Sequence, residues 1–140
     1  MKTSILAVDR SMASGAKIRE RGEAIRVLLV DDHPEIRQVL RSFLSTYYRD
    51  IEVVGEANSG EEALQCVQML FPSVVVMDIN MPRLNGIEAT ARIKHSHPHV
   101  GVVGLSMSVD EAYRRAMIAA GATAVVSKGN VVEQLYDEII

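Results

Sequence analysis

Five residues with carboxylate, hydroxyl or ammonium side chains stand at the ends of apolar, β-branched runs in this 140-residue sequence. Asp31 and Asp32 follow "IRVLLV", Asp78 follows "VVVM", Ser106 ends "VGVVGLS", and Lys128 lies just beyond "ATAVV". Such runs are typical of buried strands, and the carboxyl ends of neighbouring parallel strands meet at one edge of a sheet. We therefore expect three carboxylates, one hydroxyl and one ammonium group to converge there.

Three carboxylates within a few ångströms of one another raise each other's pKa values unless a cation neutralises them. These ligands are all oxygens, and no Cys or His cluster stands at the same strand ends, so the chemistry favours Mg²⁺ over zinc. Mg²⁺ also keeps coordination positions open for water and for a phosphate oxygen. Together with Lys128, the cation would form a pocket suited to a dianion.

A carboxylate held in such a pocket can act as a nucleophile towards phosphorus, as in enzymes that form an aspartyl phosphate. Asp78 is the candidate, because it stands alone while Asp31 and Asp32 can share the metal. The alternative for each acidic residue taken singly is an ordinary turn residue or helix cap. That alternative gives no reason for all of these residues to fall on the ends of strands.

Strand-like runs alternate with segments of helical periodicity from Ile25 onward. Strands are predicted at 25–30, 51–57, 73–77, 100–106 and 122–126. Helices are predicted after Pro34, from Ser59, over about 86–95, from Ser108 to Gly121 and from Asn130; the three openings Ser59-x-x-Glu62, Ser108-x-x-Glu111 and Asn130-x-x-Glu133 have capping-box spacing. Five alternating strand–helix units predict a doubly wound α/β fold with a parallel sheet covered on both faces.

Composition indicates a single globular domain over residues 25–140, preceded by a tail over residues 1–24 that shows no sustained periodicity. The single cysteine, Cys66, offers no disulfide framework, which is typical of a cytoplasmic protein. No apolar run reaches the roughly 18 residues needed to cross a bilayer. The net charge of −3 argues against direct binding of this chain to nucleic acid.

The motifs "LLVDDHP" (28–34), "VVVMDINMPRLNG" (74–86), "GLSM" (104–107) and "GATAVVSKG" (121–129), in this order and spacing, resemble the receiver domain of two-component response regulators. The segments "DDHPEIRQVL", "EVVGEANSGEEAL" and "DINMP", with Met107 after Ser106, are similar to the NarL/FixJ-type subfamily. The resemblance covers residues 25–140. It implies a flavodoxin-like (βα)₅ fold with strand order 2-1-3-4-5, and phosphoryl transfer from a sensor histidine kinase or phosphotransfer protein.

The same resemblance assigns roles to individual residues. Asp78 would be the phosphoacceptor, and the Mg²⁺ ligands would be Asp31, Asp32, Asp78 and the backbone carbonyl of Asn80. Ser106 and Lys128 would bind the phosphoryl oxygens, while Pro82 and Gly86 would shape the loop after the acceptor. Phosphorylation would then switch the face formed by the fourth helix, the fifth strand and the fifth helix, and would require no catalysis beyond the domain's own phosphorylation and dephosphorylation.

Two features depart from the family pattern. The family usually has Tyr or Phe three residues before the lysine, where this chain has Val125, so transmission by an aromatic flip is not expected and the signal would be weakened or rerouted. NarL/FixJ-type regulators also continue into a DNA-binding domain, which residues 1–140 do not contain. The output would be transcriptional through such a domain, or a stand-alone receiver could act in a phosphorelay or by protein contact; homodimerisation is compatible with both.

A different protein class, a Mg²⁺-dependent phosphohydrolase with an aspartyl nucleophile, would use a similar acidic edge. It should carry a second Asp two residues after the nucleophile, where this chain has Asn80, and a cap insertion longer than any loop here. The alternating histidines His95, His97 and His99 are interpreted as a polar loop, because Pro98 interrupts regular geometry and no fourth ligand lies nearby in the sequence. His33 is interpreted in the same way, as a cap or loop residue.

Overall fold

The computed structural model describes residues 23–107 and 110–140. Within those residues the strands are β1 (Ile25–Val30), β2 (Ile51–Ala57), β3 (Val74–Asp78), β4 (Gly101–Ser106) and β5 (Ala124–Ser127). The α-helices are α1 (Pro34–Tyr47), α2 (Gly60–Leu70), α3 (Gly86–Ser96), α4 (Glu111–Ala120) and α5 (Val131–Ile139), and a 3₁₀ turn spans Lys128–Asn130. Strands and helices alternate as the periodicity predicted, with strand limits that differ from the prediction by two residues at most.

The five strands form one parallel sheet in the order β2-β1-β3-β4-β5. The chain reverses direction across the sheet after β1, since β2 lies on one side of it and β3 on the other. This point of reversal lies between β1 and β3, the strands that carry Asp31 and Asp78 at their carboxyl ends. The doubly wound, flavodoxin-like fold is confirmed, and its strand order places two of the candidate residues on adjacent strands.

Alternate side chains of each strand supply two separate cores, one on each face of the sheet. Val27 and Leu29 of β1 pack on the face covered by α1 and α5, while Leu28 and Val30 pack on the opposite face. That opposite face is covered by α2, α3 and α4, which contribute buried Ala63, Val67, Ala89, Ile93 and Met117. Burial on both faces explains why the strands read as continuous apolar runs in the sequence.

The helix openings agree only in part with the predicted capping boxes. The Ser59 hydroxyl accepts a hydrogen bond from the Glu62 backbone N–H at 3.1 Å, as predicted. Ser108 lies outside the described residues, and the residue that caps α4 is Asp110, whose carboxylate accepts from the Ala112 N–H. Asn130 is the last residue of the 3₁₀ turn and precedes α5. Its side chain makes no capping bond, because its backbone at φ −112°, ψ 16° departs from the extended conformation of a capping residue.

Most of the tail predicted at residues 1–24 also lies outside the described residues. Across 23–107 and 110–140, no helix combines the length and apolar character that a bilayer crossing requires.

Candidate functional site

The carboxyl ends of β1 and β3 bring the candidate acidic residues together. Val30 pairs with Met77 in the sheet, so the residues that follow, Asp31 and Asp78, lie side by side. Both are 1% exposed although each carries a carboxylate. One ligand atom each from Asp31, Asp32, His33 and Asp78 can be chosen so that all lie within 4.8 Å of one another. The predicted convergence of the three carboxylates is present in the structure.

Lys128 provides the positive charge of this cluster. It begins the 3₁₀ turn after β5, and its Nζ lies 2.7 Å from Asp31 Oδ2 and 3.4 Å from Asp78 Oδ1. The lysine side chain is itself 9% exposed. A single buried ammonium group therefore faces two buried carboxylates and a third, Asp32, that is partly exposed.

This imbalance of charge separates the pKa values of the two buried acids. Burial, together with the nearby charge of Asp31, raises the pKa of Asp78 to about 6, against the opposing effect of Lys128. Burial also acts to raise the pKa of Asp31, but hydrogen bonds from Lys128 and His33 outweigh it and hold that pKa below its ordinary value. Without a cation, the cluster thus disfavours the charged form of Asp78 in particular.

The chemistry of the acceptor atoms fits a hard cation. Asp78 Oδ2 is buried and has no hydrogen-bond partner among the described residues. Asp31 Oδ2 and Asp32 Oδ1 are buried without well-aligned hydrogen bonds as well, although each has a charged or polar neighbour, Lys128 Nζ for the first and His33 Nδ1 at 3.1 Å for the second. Three buried oxygen acceptors directed at one small region are the donor set that Mg²⁺ prefers.

The backbone after Asp78 is held tightly against the site. The Asn80 N–H donates to Asp78 Oδ1 at 3.2 Å, and the Gly86 N–H donates to the Ile79 carbonyl at 3.0 Å. A Cβ atom on Gly86 would stand 2.1 Å from the Asp78 carbonyl oxygen, so this position needs glycine for close approach of two backbone segments. Pro82 lies exposed in the loop between these two contacts.

Ser106 and Val125 occupy the neighbouring strands. Ser106 ends β4, is 4% exposed and pairs in register with Ser127, the residue before Lys128. Val125 lies one strand from Gly104, and a Cβ on that glycine would stand 3.3 Å from Val125 Cγ2 and 2.8 Å from Met117 Cε. Val125, partly buried, thus packs against the core cluster that contains Met117 of α4, at the position where the family pattern usually has an aromatic residue.

His33 is the N-cap residue of α1, as interpreted from the sequence, but sequence reasoning missed the contact of its side chain with this cluster. Its backbone N–H and its ring Nδ1 each lie 2.9 Å from Asp31 Oδ1, while the ring makes no capping bond to α1. The hydrogen bond to Asp31 raises the pKa of His33, and the charge of Asp32 acts in the same direction. The adjacency of His33 to two acidic residues was the available signal. The other histidines, His95, His97 and His99, lie at the C-terminal end of α3 and just before β4, and none belongs to the acidic group of the described residues.

Comparison with known proteins decides the family. The model of the response regulator receiver domain matches residues 27–140. This chain belongs to the response regulator receiver family. The receiver motifs and the fold predicted from the sequence are thereby confirmed.

Individual relatives support the same assignment. The receiver is 36% identical over 115 residues to the response regulator GacA of Pseudomonas viridiflava, a match that covers 82% of this chain and 53% of GacA. Among solved structures, the response regulator domain of Thermotoga maritima CheB is 34% identical with a TM-score of 0.77, covering 84% of this chain and 94% of that one. The chain spans about half the length of the curated relatives it matches.

A third match agrees with the subfamily resemblance. The signal receiver domain of the response regulator NarL from Mycobacterium tuberculosis is 27% identical, with a TM-score of 0.75 and coverage of 84% of this chain and 97% of that domain. This match is consistent with the NarL/FixJ-type subfamily that the motifs resemble.

Proposed function

We propose that this receiver accepts a phosphoryl group on Asp78 in a Mg²⁺-dependent reaction. The observation that carries the proposal is the buried Asp78 Oδ2, which has no hydrogen-bond partner among the described residues and lies on a carboxylate 3.4 Å from Lys128. A buried carboxylate with an unpaired oxygen is costly unless the site uses it. Here that oxygen is the nucleophile.

Asp31, Asp32, Asp78 and the backbone carbonyl of Asn80 would hold the Mg²⁺. When bound, the cation neutralises charge on the phosphoryl oxygens and on the carboxylates that surround them. The ionised Asp78 forms an O–P bond while the P–N bond of a phosphohistidine donor breaks, and its electron pair leaves with the imidazole nitrogen. Because the pKa of Asp78 is about 6 without a cation, Asp78 is mostly ionised and competent at neutral pH.

Lys128 and Ser106 bind the product. Phosphorylation adds a charge of about −1.5 to −2 and strong acceptor oxygens. Lys128 exchanges part of its contact with Asp31 for a phosphoryl oxygen, and Ser106 turns its hydroxyl towards another. Both residues lie at the ends of strands that pack against α4 and α5, so their movement biases the α4-β5-α5 face.

Complete switching of the receiver from the inactive to the active form needs a large change in the free-energy difference between the two forms. To move the receiver from 1:99 to 99:1 in favour of the active form, the phosphoryl group must stabilise that form by about 5.5 kcal/mol. Charge-assisted hydrogen bonds in this buried pocket supply the bias at the site itself. Val125 weakens or reroutes its transmission, because an aliphatic side chain cannot perform an aromatic flip.

The donor in the cell is a sensor histidine kinase or a phosphotransfer protein, and the compartment is the cytoplasm. The output is control of transcription through a DNA-binding domain outside the present sequence. The matches to regulators such as GacA, of which the 115 matched residues are 53%, support that output. A receiver acting through protein contact alone is the second output we consider.

The experiment is incubation of the chain with acetyl phosphate, with and without Mg²⁺, followed by intact-mass measurement. We expect one phosphoryl group per chain, dependent on Mg²⁺ and absent in Asp78→Asn. Asp137→Asn, which alters an exposed carboxylate on α5, is the matched control and should be labelled like the unaltered chain. Equal labelling of Asp78→Asn, or continuous turnover of phosphomonoesters, would overturn the proposal.

A further inference from the structure

We infer that Arg37 is a positioning residue for the cation site, acting through the backbone of Asp31. The inference rests on the proposed function, since it concerns the Mg²⁺ that Asp31 and Asp32 would hold. Arg37 is a charged residue of α1 and lies outside the acidic cluster itself.

Arg37 connects α1 to the turn that carries the two acidic residues. Its Nη1 donates to the Asp31 carbonyl oxygen at 2.6 Å, and its Nε donates to Glu56 Oε1 at 2.8 Å. The Arg37 side chain is 16% exposed, so this contact is largely shielded from water. The guanidinium fork thereby joins the end of β1 to the end of β2 through two simultaneous hydrogen bonds.

The backbone of Asp31 is held on both sides of its Cα as a result. Its N–H donates to the Ala57 carbonyl at 3.1 Å, while its carbonyl accepts from Arg37. These two bonds hold the two peptide groups that flank the Asp31 Cα, from which the buried carboxylate projects. Mg²⁺ demands near-ideal octahedral geometry, so a small rotation of this backbone segment costs affinity.

Glu56 anchors the other end of the fork. Burial alone would raise the pKa of Glu56, but hydrogen bonds from Arg41 and Arg37 hold it below its ordinary value. Arg41 Nε lies 2.6 Å from Glu56 Oε2, and no contact of Arg41 with Asp31 is found among the described residues. Arg41 therefore shares the Glu56 ion pair with Arg37 without sharing the contact to the site.

A positioning role and a purely electrostatic role of Arg37 predict opposite changes in Mg²⁺ affinity when Arg37 is removed. Loss of a positive charge near the site would favour Mg²⁺, because the cation would meet less repulsion. Loss of the hydrogen bond to the Asp31 carbonyl would weaken Mg²⁺ binding, because the turn could rotate. Loss of a partner that orients a metal ligand typically lowers affinity by about 10- to 100-fold.

The test compares Arg37→Ala with its matched control Arg41→Ala by calorimetric titration of each chain with Mg²⁺ alone. We expect Arg37→Ala to bind Mg²⁺ at least about tenfold more weakly than the unaltered chain. Arg41→Ala should bind as the unaltered chain does. Urea unfolding of both variants measures the stability lost with the Glu56 ion pair. If Arg37 had only a structural role, its removal would lower this stability without changing the affinity for Mg²⁺.

Arg37→Lys separates the hydrogen-bonding fork from the charge. Lysine keeps the positive charge but cannot make the two-point contact, so we expect weakened Mg²⁺ binding in this variant as well. Full affinity in Arg37→Lys, or affinity in Arg37→Ala equal to or above that of Arg41→Ala, would overturn the inference while leaving the proposed function intact. Absence of Mg²⁺ binding by the unaltered chain would overturn both.

Discussion

Burial of the Asp78 carboxylate beside Asp31 destabilises the metal-free fold, and replacing Asp78 should reveal by how much. The carboxylate is buried beside Asp31, and these two influences raise its pKa from 3.8 to about 6. Asp78→Asn keeps the shape of the side chain but removes its charge. We expect this variant to be more stable than the unaltered chain when no divalent cation is present.

The direction of the pH dependence follows from the raised pKa. The unfolded chain ionises Asp78 as the pH passes 3.8, whereas the folded chain does so only near pH 6, so folding stability falls across that interval. The difference between the two pKa values corresponds to about 3 kcal/mol of unfolding free energy. Asp78→Asn should therefore gain about 3 kcal/mol near neutral pH and gain little near pH 4.

The assay is urea unfolding followed by circular dichroism, in EDTA, at a series of pH values from about 4 to about 8. Asp137→Asn, the exposed control on α5, should show no comparable gain. Addition of Mg²⁺ should reduce the advantage of Asp78→Asn, because the cation stabilises the ionised carboxylate of the unaltered chain.

Two results would refute this reasoning. The first is an Asp78→Asn variant no more stable than the unaltered chain near neutral pH in EDTA. The second is a gain of the same size at every pH, which would point to packing rather than to the ionisation of Asp78.

Three further predictions concern the loop, the last helix and the readout. Gly86→Ala should lower the unfolding free energy by about 3 kcal/mol and reduce phosphorylation, because its Cβ would stand 2.1 Å from a backbone oxygen. The control is Gly129→Ala, because a Cβ at that position would lie 3.6 Å from its nearest neighbour. Tyr136→Phe should lower stability by about 1.5 kcal/mol in urea unfolding, because it loses the 2.5 Å hydrogen bond to Asp50 but keeps its ring stack. Because Val125 weakens or reroutes transmission, phosphorylation should change amide exchange only slightly from Val125 to Ile140, compared with the change around Asp31 and Asp78 at the site itself.

Each of these predictions has a contrary result. Equal stability of the two glycine variants would remove the close-approach argument for the acceptor loop. A phenylalanine variant as stable as the unaltered chain would show that the tyrosine hydroxyl contributes nothing net. Large protection changes across β5 and α5 on phosphorylation would show that the aliphatic residue transmits the signal as well as an aromatic one.

The sequence predicted the acidic cluster because parallel strands end at one edge of the sheet, so residues far apart in the chain become neighbours by topology. Asp31 and Asp78 were placed correctly for this reason. The contact of Arg37 with Glu56 was not predictable in the same way, since charged residues 19 positions apart on a helix and a strand normally face solvent. The stack of Tyr48 on Tyr136 depends likewise on how α5 packs against α1.

The helix openings show a second limit. Ser108 and Asp110 are both favourable capping residues, and spacing alone selected the first, whereas Asp110 makes the capping bond. His33 is a similar case: its position in the sequence is compatible with a cap, and only the fold turns its ring towards Asp31. Local sequence therefore predicts where elements begin to within about three residues, the largest difference being the helix predicted from Ser108 that begins at Glu111, while side-chain partners depend on the tertiary structure.

The most direct test of the central claim is chemical mapping of the phosphorylated residue. The chain is treated with acetyl phosphate and Mg²⁺, the acyl phosphate is reduced with borohydride, and peptides are sequenced by mass spectrometry. We expect the reduced residue at position 78 and nowhere else. Modification at another residue, or none under conditions where Mg²⁺ binds, would contradict it.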